Sequence, residues 1–217
     1  MKYIELQEAF ERELNTFYDG INKPKSSDTE WWLNRGVEKF YKTRYSGINF
    51  KLKGFEQDQK RIDDLRTLIT TATYTDTVEK VSNAEFKCKL PDGYVLLLGD
   101  TAYIAPSDGV INNCWEKDEE QNYIPHFSDT LEVTIDTIDR EKQNSLSEYR
   151  LKYCQARPLK LIQNNYVLLY TDGKYKVIDY SMTYLRKPSY IDIHTKPFDE
   201  YTDMPEHTHM EIVKLAA

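Results

Sequence analysis

The sequence predicts an α+β fold in which N-terminal helices pack on a mostly antiparallel β region and a short helix ends the chain. Apolar residues recur with helical spacing before residue 71, alternate with polar residues after it, and return to helical spacing near the end. Because helices and strands form separate runs, α+β is favoured over a wound parallel sheet. One structural domain with an extension is expected, divided into a helical region (1–71), an antiparallel β region (72–200) and a C-terminal docking helix (201–217).

Two amphipathic helices are predicted before residue 46. The buried face of the first is marked by Leu6, Phe10, Leu14 and Phe17. Gly20 and Pro24 end this helix. Ser27 and Glu30 have the spacing of a capping box, which predicts that Ser27 caps the second helix. Its apolar stripe, which Ser46 and Gly47 end, comprises Leu33, Val37, Phe40 and Tyr41.

A third helix is predicted from about Phe55 to Thr70. Its expected buried stripe comprises Ile62, Leu65, Leu68 and Ile69. The carboxylates near Lys60, which are Glu56, Asp58, Asp63 and Asp64, are of the type that metal-dependent nucleases use. Adjacent helical residues such as Asp63 and Asp64 point about 100° apart, so they need another element to share a metal. A solvated helix face is the preferred interpretation.

Alternating or apolar runs predict the strands. They fall at 85–89, 94–103, 131–135, 166–170 and 175–180, and residues 189–193 form a further candidate. The turn sequence Asp172-Gly173 between the runs 166–170 and 175–180 predicts that these two strands form a β-hairpin.

The final segment returns to a helical pattern. Asp203 or Met204 lies near the expected cap, and Pro205 suits the first turn. His207 and His209 are two residues apart, so on a helix their rings point about 200° apart and cannot chelate one zinc ion. No metal site is therefore expected. A helix this short is marginal alone, so we expect either that it docks on a partner or that the natural chain continues past Ala217.

Composition excludes some classes of function. The net charge of −7 argues against a sequence-independent DNA binder. The 17 tyrosines indicate either wide protein contacts or a β-rich fold. The N-terminus lacks a signal pattern, and the longest apolar run, 94–98, is too short to span a bilayer. Cys88, Cys114 and Cys154 form no CxxC motif and are expected to be reduced.

No nucleophile elbow, P-loop or dinucleotide-binding glycine motif occurs, so no enzymatic activity, no catalytic residue and no cofactor are expected. The acidic run 115–120 could face a basic patch of a neighbouring molecule, although a solvated loop is the favoured interpretation. The basic and aromatic run 39–45 could bind a nucleic-acid backbone, but ordinary amphipathicity is favoured.

Three stretches, in this order and spacing, resemble the ring or tail-adaptor proteins of crAss-like bacteriophages. They are residues 27–34 (SDTEWWLN, followed by Phe40 and Tyr45), 54–68 (GFEQDQKRIDDLRTL) and 90–99 (LPDGYVLLLG). The run 204–213 (MPEHTHMEIV) fits the same pattern, and in that family it opens a longer helix. Residues 106–200 match only in their strand-rich character.

The resemblance implies a structural virion protein of the phage neck, made in the host cytoplasm. It would form a homo-oligomeric ring, expected to be dodecameric, bound to the portal protein and to other ring or tail proteins. DNA would pass through its channel without specific binding, and no membrane is involved. The implied core comprises Trp31, Leu33, Phe40, Phe55, Leu65 and Leu68. The implied inter-subunit contacts are Glu56, Arg61, Asp63, Asp64, Pro205, His207, His209 and Ile212.

Other functions stay open at this point. A fibre-attachment or head-decoration protein of the particle would share the same fold arguments. A metal-dependent nuclease acting in packaging, or an adaptor that binds DNA in the channel, would belong to a different class.

Overall fold

The computed structural model describes residues 1–17, 24–45, 60, 62–75, 77–111 and 115–217. The α-helices are α1 (Tyr3–Phe17), α2 (Ser26–Tyr45), α3 (Ile138–Gln143) and α4 (His209–Ala216). The strands are β1 (Ile69–Tyr74), β2 (Glu79–Ser82), β3 (Glu85–Lys89), β4 (Tyr94–Pro106), β5 (His126–Ser128), β6 (Leu131–Glu132), β7 (Leu159–Gln163), β8 (Tyr166–Tyr170) and β9 (Tyr175–Arg186). Helices at both ends and antiparallel sheets in the middle confirm the α+β prediction.

The chain divides into two compact units. The helical unit contains residues 1–69 and 186–217, and the β unit contains residues 70–185. The C-terminal segment therefore belongs to the same unit as the N-terminal helices, where α4 packs against both α1 and α2.

Gly36 allows α4 to lie very close to α2. A Cβ atom at Gly36 would lie 2.8 Å from the Cβ of Ala216 and 2.8 Å from the carbonyl oxygen of Ile212. On α4, Ile212, Val213 and Ala216 are buried. The helix expected to dock on a partner thus buries its apolar face on its own chain.

Two predictions about the first helices need correction. Ser27 lies inside α2, which begins one residue earlier, and the Glu30 carboxylate accepts a hydrogen bond from the Ile193 backbone amide at 3.2 Å. The capping box is therefore absent, because a distant segment uses the Glu30 side chain. The predicted third helix also ends early. Its described part, residues 60 and 62–65, leads into a 3-10 turn at Arg66–Leu68, and Thr70 already lies in β1.

The implied core positions divide into two groups. Leu33, Phe40, Leu65 and Leu68 are buried, whereas Trp31 is 54% exposed. The core assignment of Trp31 is therefore wrong, and the expected stripe position Ile62 is exposed as well. Phe55 lies outside the described residues.

The β unit contains two sheets that share one core. The strand orders are β1-β9-β4-β5 and β2-β3-β8-β7-β6. Pairing of β2 with β3, β3 with β8, β7 with β8, and β4 with β5 is antiparallel, while β6 pairs with β7 in parallel. Buried residues of both sheets, including Phe86 and Leu169 from one and Ile104 and Met182 from the other, form a single cluster.

A second apolar cluster covers the other face of the five-stranded sheet. Ile138 of α3 packs there with Val133, Tyr149, Leu159 and Leu161. Successive residues of β8 alternate between the two clusters, as the period of two in a strand requires.

The predicted hairpin between 166–170 and 175–180 does not form. Both strands exist as predicted, but β8 pairs with β3 and β7, whereas β9 lies beside β1 and β4 in the other sheet. The turn that contains Gly173 (φ +80°) therefore crosses between the sheets. The local hairpin is instead β7–β8, in which Asn164 and Asn165 both have positive φ, as the mirror-image two-residue turn requires.

Other strand predictions also change. The run 131–135 is strand only at Leu131–Glu132, and residues 189–193 are not strand. Tyr175 and Tyr180 are fully buried, which places these tyrosines in the core rather than at contacts with partners. No described helix is both long enough and apolar enough to cross a membrane.

The cysteines differ in state. Cys88 is a free, buried thiol, as expected. Cys154 is disulfide-bonded, so the expectation of a reduced thiol is wrong for this residue. Cys114 lies outside the described residues.

Candidate functional site

A groove on the helical unit is the candidate interaction site. It encloses about 360 Å³ between α2 and the segment 187–190 that follows β9. Its lining residues are Trp31, Asn34, Arg35, Val37, Glu38, Tyr41, Lys187, Pro188, Ser189 and Tyr190. The groove is therefore bounded by a regular helix on one side and by an extended segment on the other.

Hydrogen bonds from Asn34 hold the extended segment against α2. The Asn34 side-chain amide donates to the Ile191 carbonyl at 3.0 Å, and its oxygen accepts from the Ile191 backbone amide at 2.8 Å. The Glu30 bond to Ile193 adds a third link one turn away. Because these bonds fix backbone atoms, the groove has its shape before any partner arrives.

Asp203 fixes the beginning of the same segment. Its carboxylate accepts hydrogen bonds from Arg186 at 2.7 and 3.2 Å, and from the backbone amide and hydroxyl of Ser189 at 2.5 and 2.6 Å. Burial alone would raise the pKa of Asp203, but these hydrogen bonds outweigh it and lower the pKa to about 2. Asp203 was expected near a helix cap, but its carboxylate organises the wall of the groove.

Positive charge dominates the groove. The Arg35 guanidinium lies over the Trp31 ring, 5.2 Å from its centroid. Lys187 donates a hydrogen bond to the Tyr190 hydroxyl at 2.8 Å. Neither cation forms an ion pair with a carboxylate of the described residues. The one acidic lining residue, Glu38, is paired with Lys42 outside the groove at 2.5 Å.

Two exposed aromatic side chains line the groove. Trp31 is 54% exposed and Tyr190 is 66% exposed. Trp, Tyr and Arg are the residue types that carry most binding energy at protein interfaces. With two unpaired cations beside the rings, the groove suits a segment that carries carboxylates and an apolar contact residue.

An acidic turn on the β unit has the complementary chemistry. The carboxylate of Asp118 accepts hydrogen bonds from the backbone amides of Glu120 at 3.0 Å and Asn122 at 2.8 Å, which closes the turn. Glu116 and Glu119 are exposed and form no ion pair within the part of the chain described above. The turn is therefore an ordered group of carboxylates rather than a loose acidic loop.

Several implied inter-subunit contacts lie inside the chain instead. Pro205, His209 and Ile212 are buried, and Asp64 is fully buried. These positions are wrong as surface contacts, because the C-terminal segment folds onto its own helices.

Asp64 is the centre of an internal ionic cluster. Its carboxylate accepts hydrogen bonds from Arg44 at 2.9 Å and is 2.8 Å from Nε2 of His207. Nη2 of Arg44 also donates to both carboxylate oxygens of Glu211, at 2.7 and 2.8 Å. Arg44 and the buried rings of Phe40 and Tyr41 belong to the basic run 39–45, so amphipathic packing accounts for that run.

The two histidines of the His207–His209 pair have separate partners. His207 faces Asp64, whereas the His209 ring lies 3.0 Å from the Met204 carbonyl and 3.3 Å from the N-terminal amine. Burial lowers the pKa of His209. Within the described ranges, no group of three or more His, Cys, Asp or Glu side chains is arranged to hold a metal ion.

The remaining implied contacts are accessible or lie outside the described residues. Asp63 and His207 have half-exposed side chains, while Glu56 and Arg61 lie outside. Sequence reasoning missed Arg35, Lys187 and Tyr190. The pair Trp31-Trp32 was a usable signal, since two tryptophans in a row cannot both face the core of a helix.

Neither a protein-family model nor a curated protein matches this chain.

Proposed function

We propose that this chain is a structural virion protein that forms a ring at the portal-to-tail junction of a tailed bacteriophage, around the DNA channel. The proposal rests on the resemblance of residues 27–34, 54–68, 90–99 and 204–213 to ring proteins of crAss-like phages. The groove between α2 and the segment 187–190 supports an assembly role, because it presents exposed aromatic rings and unpaired cations in a fixed arrangement.

The groove supplies one side of the subunit contact, and the acidic turn at residues 116–120 of the next copy supplies the other. Such a contact joins two different surfaces, so it is heterologous and generates a closed ring when the rotation per subunit is suitable. Arg35 and Lys187 pair with the turn's carboxylates while Trp31 covers them from water. An ion pair sheltered in this way is less screened by salt than an exposed one.

The role in the particle is tested by counting chains. Quantitative mass spectrometry of purified, DNA-filled particles should give about one copy of this chain for each portal subunit. A much larger ratio would instead favour a decoration or fibre protein. Absence from the particles would refute the structural role and make a nuclease assay with magnesium or manganese the next measurement.

The contact is tested by reversing charges. Arg35→Glu should prevent assembly of the purified chain onto portal-bearing particles, and adding Glu119→Arg should restore part of it. Arg12→Glu is the matched control, because Arg12 is an exposed arginine on α1 with only a loose pair to Glu8 at 3.6 Å. Equal assembly by Arg35→Glu and Arg12→Glu would refute the groove as the contact.

A further inference from the structure

A buried lysine and aspartate face each other between the two sheets of the β unit. Lys160 of β7 and Asp100 of β4 have side chains that are 5% and 8% exposed, and Nζ lies 2.9 Å from Oδ1. The two residues come from different sheets. Removing two charges from water costs several kcal/mol per ion, so such a pair contributes little net stability to the fold.

Three further side chains complete the arrangement. The hydroxyls of Thr130 and Tyr180 both donate to Oδ2 of Asp100, at 2.5 and 2.9 Å. The carboxylate of Glu132 lies 3.9 Å from Nζ of Lys160. Glu132 and Lys160 are directly paired residues of the parallel strands β6 and β7, and this pairing places their side chains next to each other. An amine, a carboxyl group and a second carboxylate thus meet in one place.

We propose that Lys160 and Asp100 condense to an intramolecular amide that joins the two sheets covalently. Nζ of Lys160 attacks Cγ of Asp100, the Nζ–Cγ bond forms, and the Cγ–Oδ1 bond breaks. The ammonium and the carboxylate together lose one water molecule, and no oxidant, reductant or cofactor is needed. The reaction is a self-modification of the folded chain, independent of the proposed role in the particle.

Each neighbouring group has a defined part in this step. The departing water takes both of its protons from the Lys160 ammonium. The first passes directly to Oδ1 of Asp100, which leaves a free amine facing a neutral carboxyl group. After the attack on Cγ, Glu132 relays the second proton from Nζ to the same oxygen, which leaves as water. Thr130 and Tyr180 stabilise the negative charge that develops on Oδ2 when Cγ becomes tetrahedral. Burial, together with the charge of Asp100, raises the pKa of Tyr180, so its hydroxyl stays a proton donor.

Burial favours the reaction in two ways. The amine nitrogen lies 2.9 Å from Oδ1 of the carboxyl group that it attacks, so no encounter step is required. The Lys160 and Asp100 side chains are only 5% and 8% exposed, so little bulk water reaches the intermediate. The amide product is neutral, so condensation also removes the buried charges. The amide bond would link β4 to β7 covalently and keep the two sheets together when a mechanical force acts on the chain.

The test is the mass of the purified, folded full-length chain after reduction and alkylation of its cysteines. The expected mass is the sequence mass less one water molecule. Trypsin should fail to cleave after Lys160, and segments 90–117 and 153–174 should appear as one cross-linked peptide. Recovery of the full mass, with free Lys160 and Asp100 in the peptide map, would overturn the proposal and identify an ordinary buried ion pair.

Substitution of Glu132 tests the mechanism without disturbing the core. The Glu132 side chain is 75% exposed, so Glu132→Gln should fold normally yet keep the full sequence mass. Glu148→Gln is the matched control, because Glu148 is an exposed carboxylate that pairs with Arg157, whereas Glu132 lies beside Lys160. Its chain should cross-link as completely as the wild type. Complete cross-linking of Glu132→Gln would refute the proton relay, and loss of the cross-link in Glu148→Gln would do the same.

Discussion

Replacing Gly36 with alanine should weaken the helical unit, although alanine is the better helix former. The new methyl group would lie 2.8 Å from both the Ala216 Cβ and the Ile212 carbonyl oxygen, and 3.2 Å from the Ala216 nitrogen. A normal carbon–carbon contact needs about 3.5 Å, so α4 must move by about 0.7 Å. Two of the three obstructing atoms are backbone, so no side-chain rotation relieves the clash.

The magnitude follows from two opposing terms. Forcing a methyl group into a packed contact costs about 1–3 kcal/mol, and a backbone obstacle places this case near the upper value. The gain in helix propensity from Gly to Ala is about 1 kcal/mol. The net expectation is a loss of about 2 kcal/mol in the free energy of unfolding, because the steric term is larger.

Urea unfolding followed by circular dichroism measures this difference. Gly99→Ala is the matched control, because a Cβ at Gly99 of β4 meets nothing within 4 Å. That variant should change the free energy of unfolding by less than about 1 kcal/mol. Combining Gly36→Ala with Ala216→Gly should recover part of the lost free energy of unfolding, since the clash with the Ala216 Cβ disappears. A Gly36→Ala protein as stable as the wild type would refute the close approach of α2 and α4.

Three further outcomes are expected. Because the pKa of Asp203 is about 2 in the folded chain, against 3.8 for the free side chain, about 2 kcal/mol of stability should be present above pH 3.8 and lost as the pH falls towards 2. Asp203→Asn should flatten that part of a urea-unfolding profile measured against pH, and an unchanged slope would contradict the assignment. Burial raises the pKa of Cys88 to about 12, so iodoacetamide should not label it before unfolding, as mass spectrometry of native and denatured samples would reveal. Arg44→Ala leaves the buried Asp64 carboxylate without its strongest partner and should lower the free energy of unfolding by about 3 kcal/mol, whereas a loss below about 1 kcal/mol would argue against the buried pair.

Local chemistry in the sequence was sufficient for most elements. The spacing of Leu6 and Phe10 predicted α1, and alternation at 85–89 and 166–170 predicted β3 and β8 with their observed bounds. These patterns succeed because side-chain periodicity depends only on backbone geometry within one element. The α+β class follows from the order of such elements.

The local sequence did not determine which strands pair with one another. Asp172-Gly173 does form a turn, but the strands on either side of it, β8 and β9, join different sheets. The sheet that each strand joins depends on the other strands available to pair with it, and these lie far away in sequence. The Glu30 side chain is a second example. A capping box would bond it to the start of its own helix, but it accepts a hydrogen bond from the Ile193 backbone amide instead. Competing partners distant in sequence outweigh a local preference worth about 1 kcal/mol.

By itself, the sequence determined α1, α2 and α4 and the strands β3, β4, β8 and β9, but it predicted neither α3 nor β7. Only the tertiary structure decided which charged and aromatic residues meet. Arg35, Lys187 and Trp31 gather in one groove because Asn34 and Asp203 hold residues 186–191 beside α2, and Asp100 meets Lys160 because two sheets pack face to face. Contacts between residues so far apart in sequence carry no periodic signal, since they are set by the free energy of packing the whole unit rather than by any one segment.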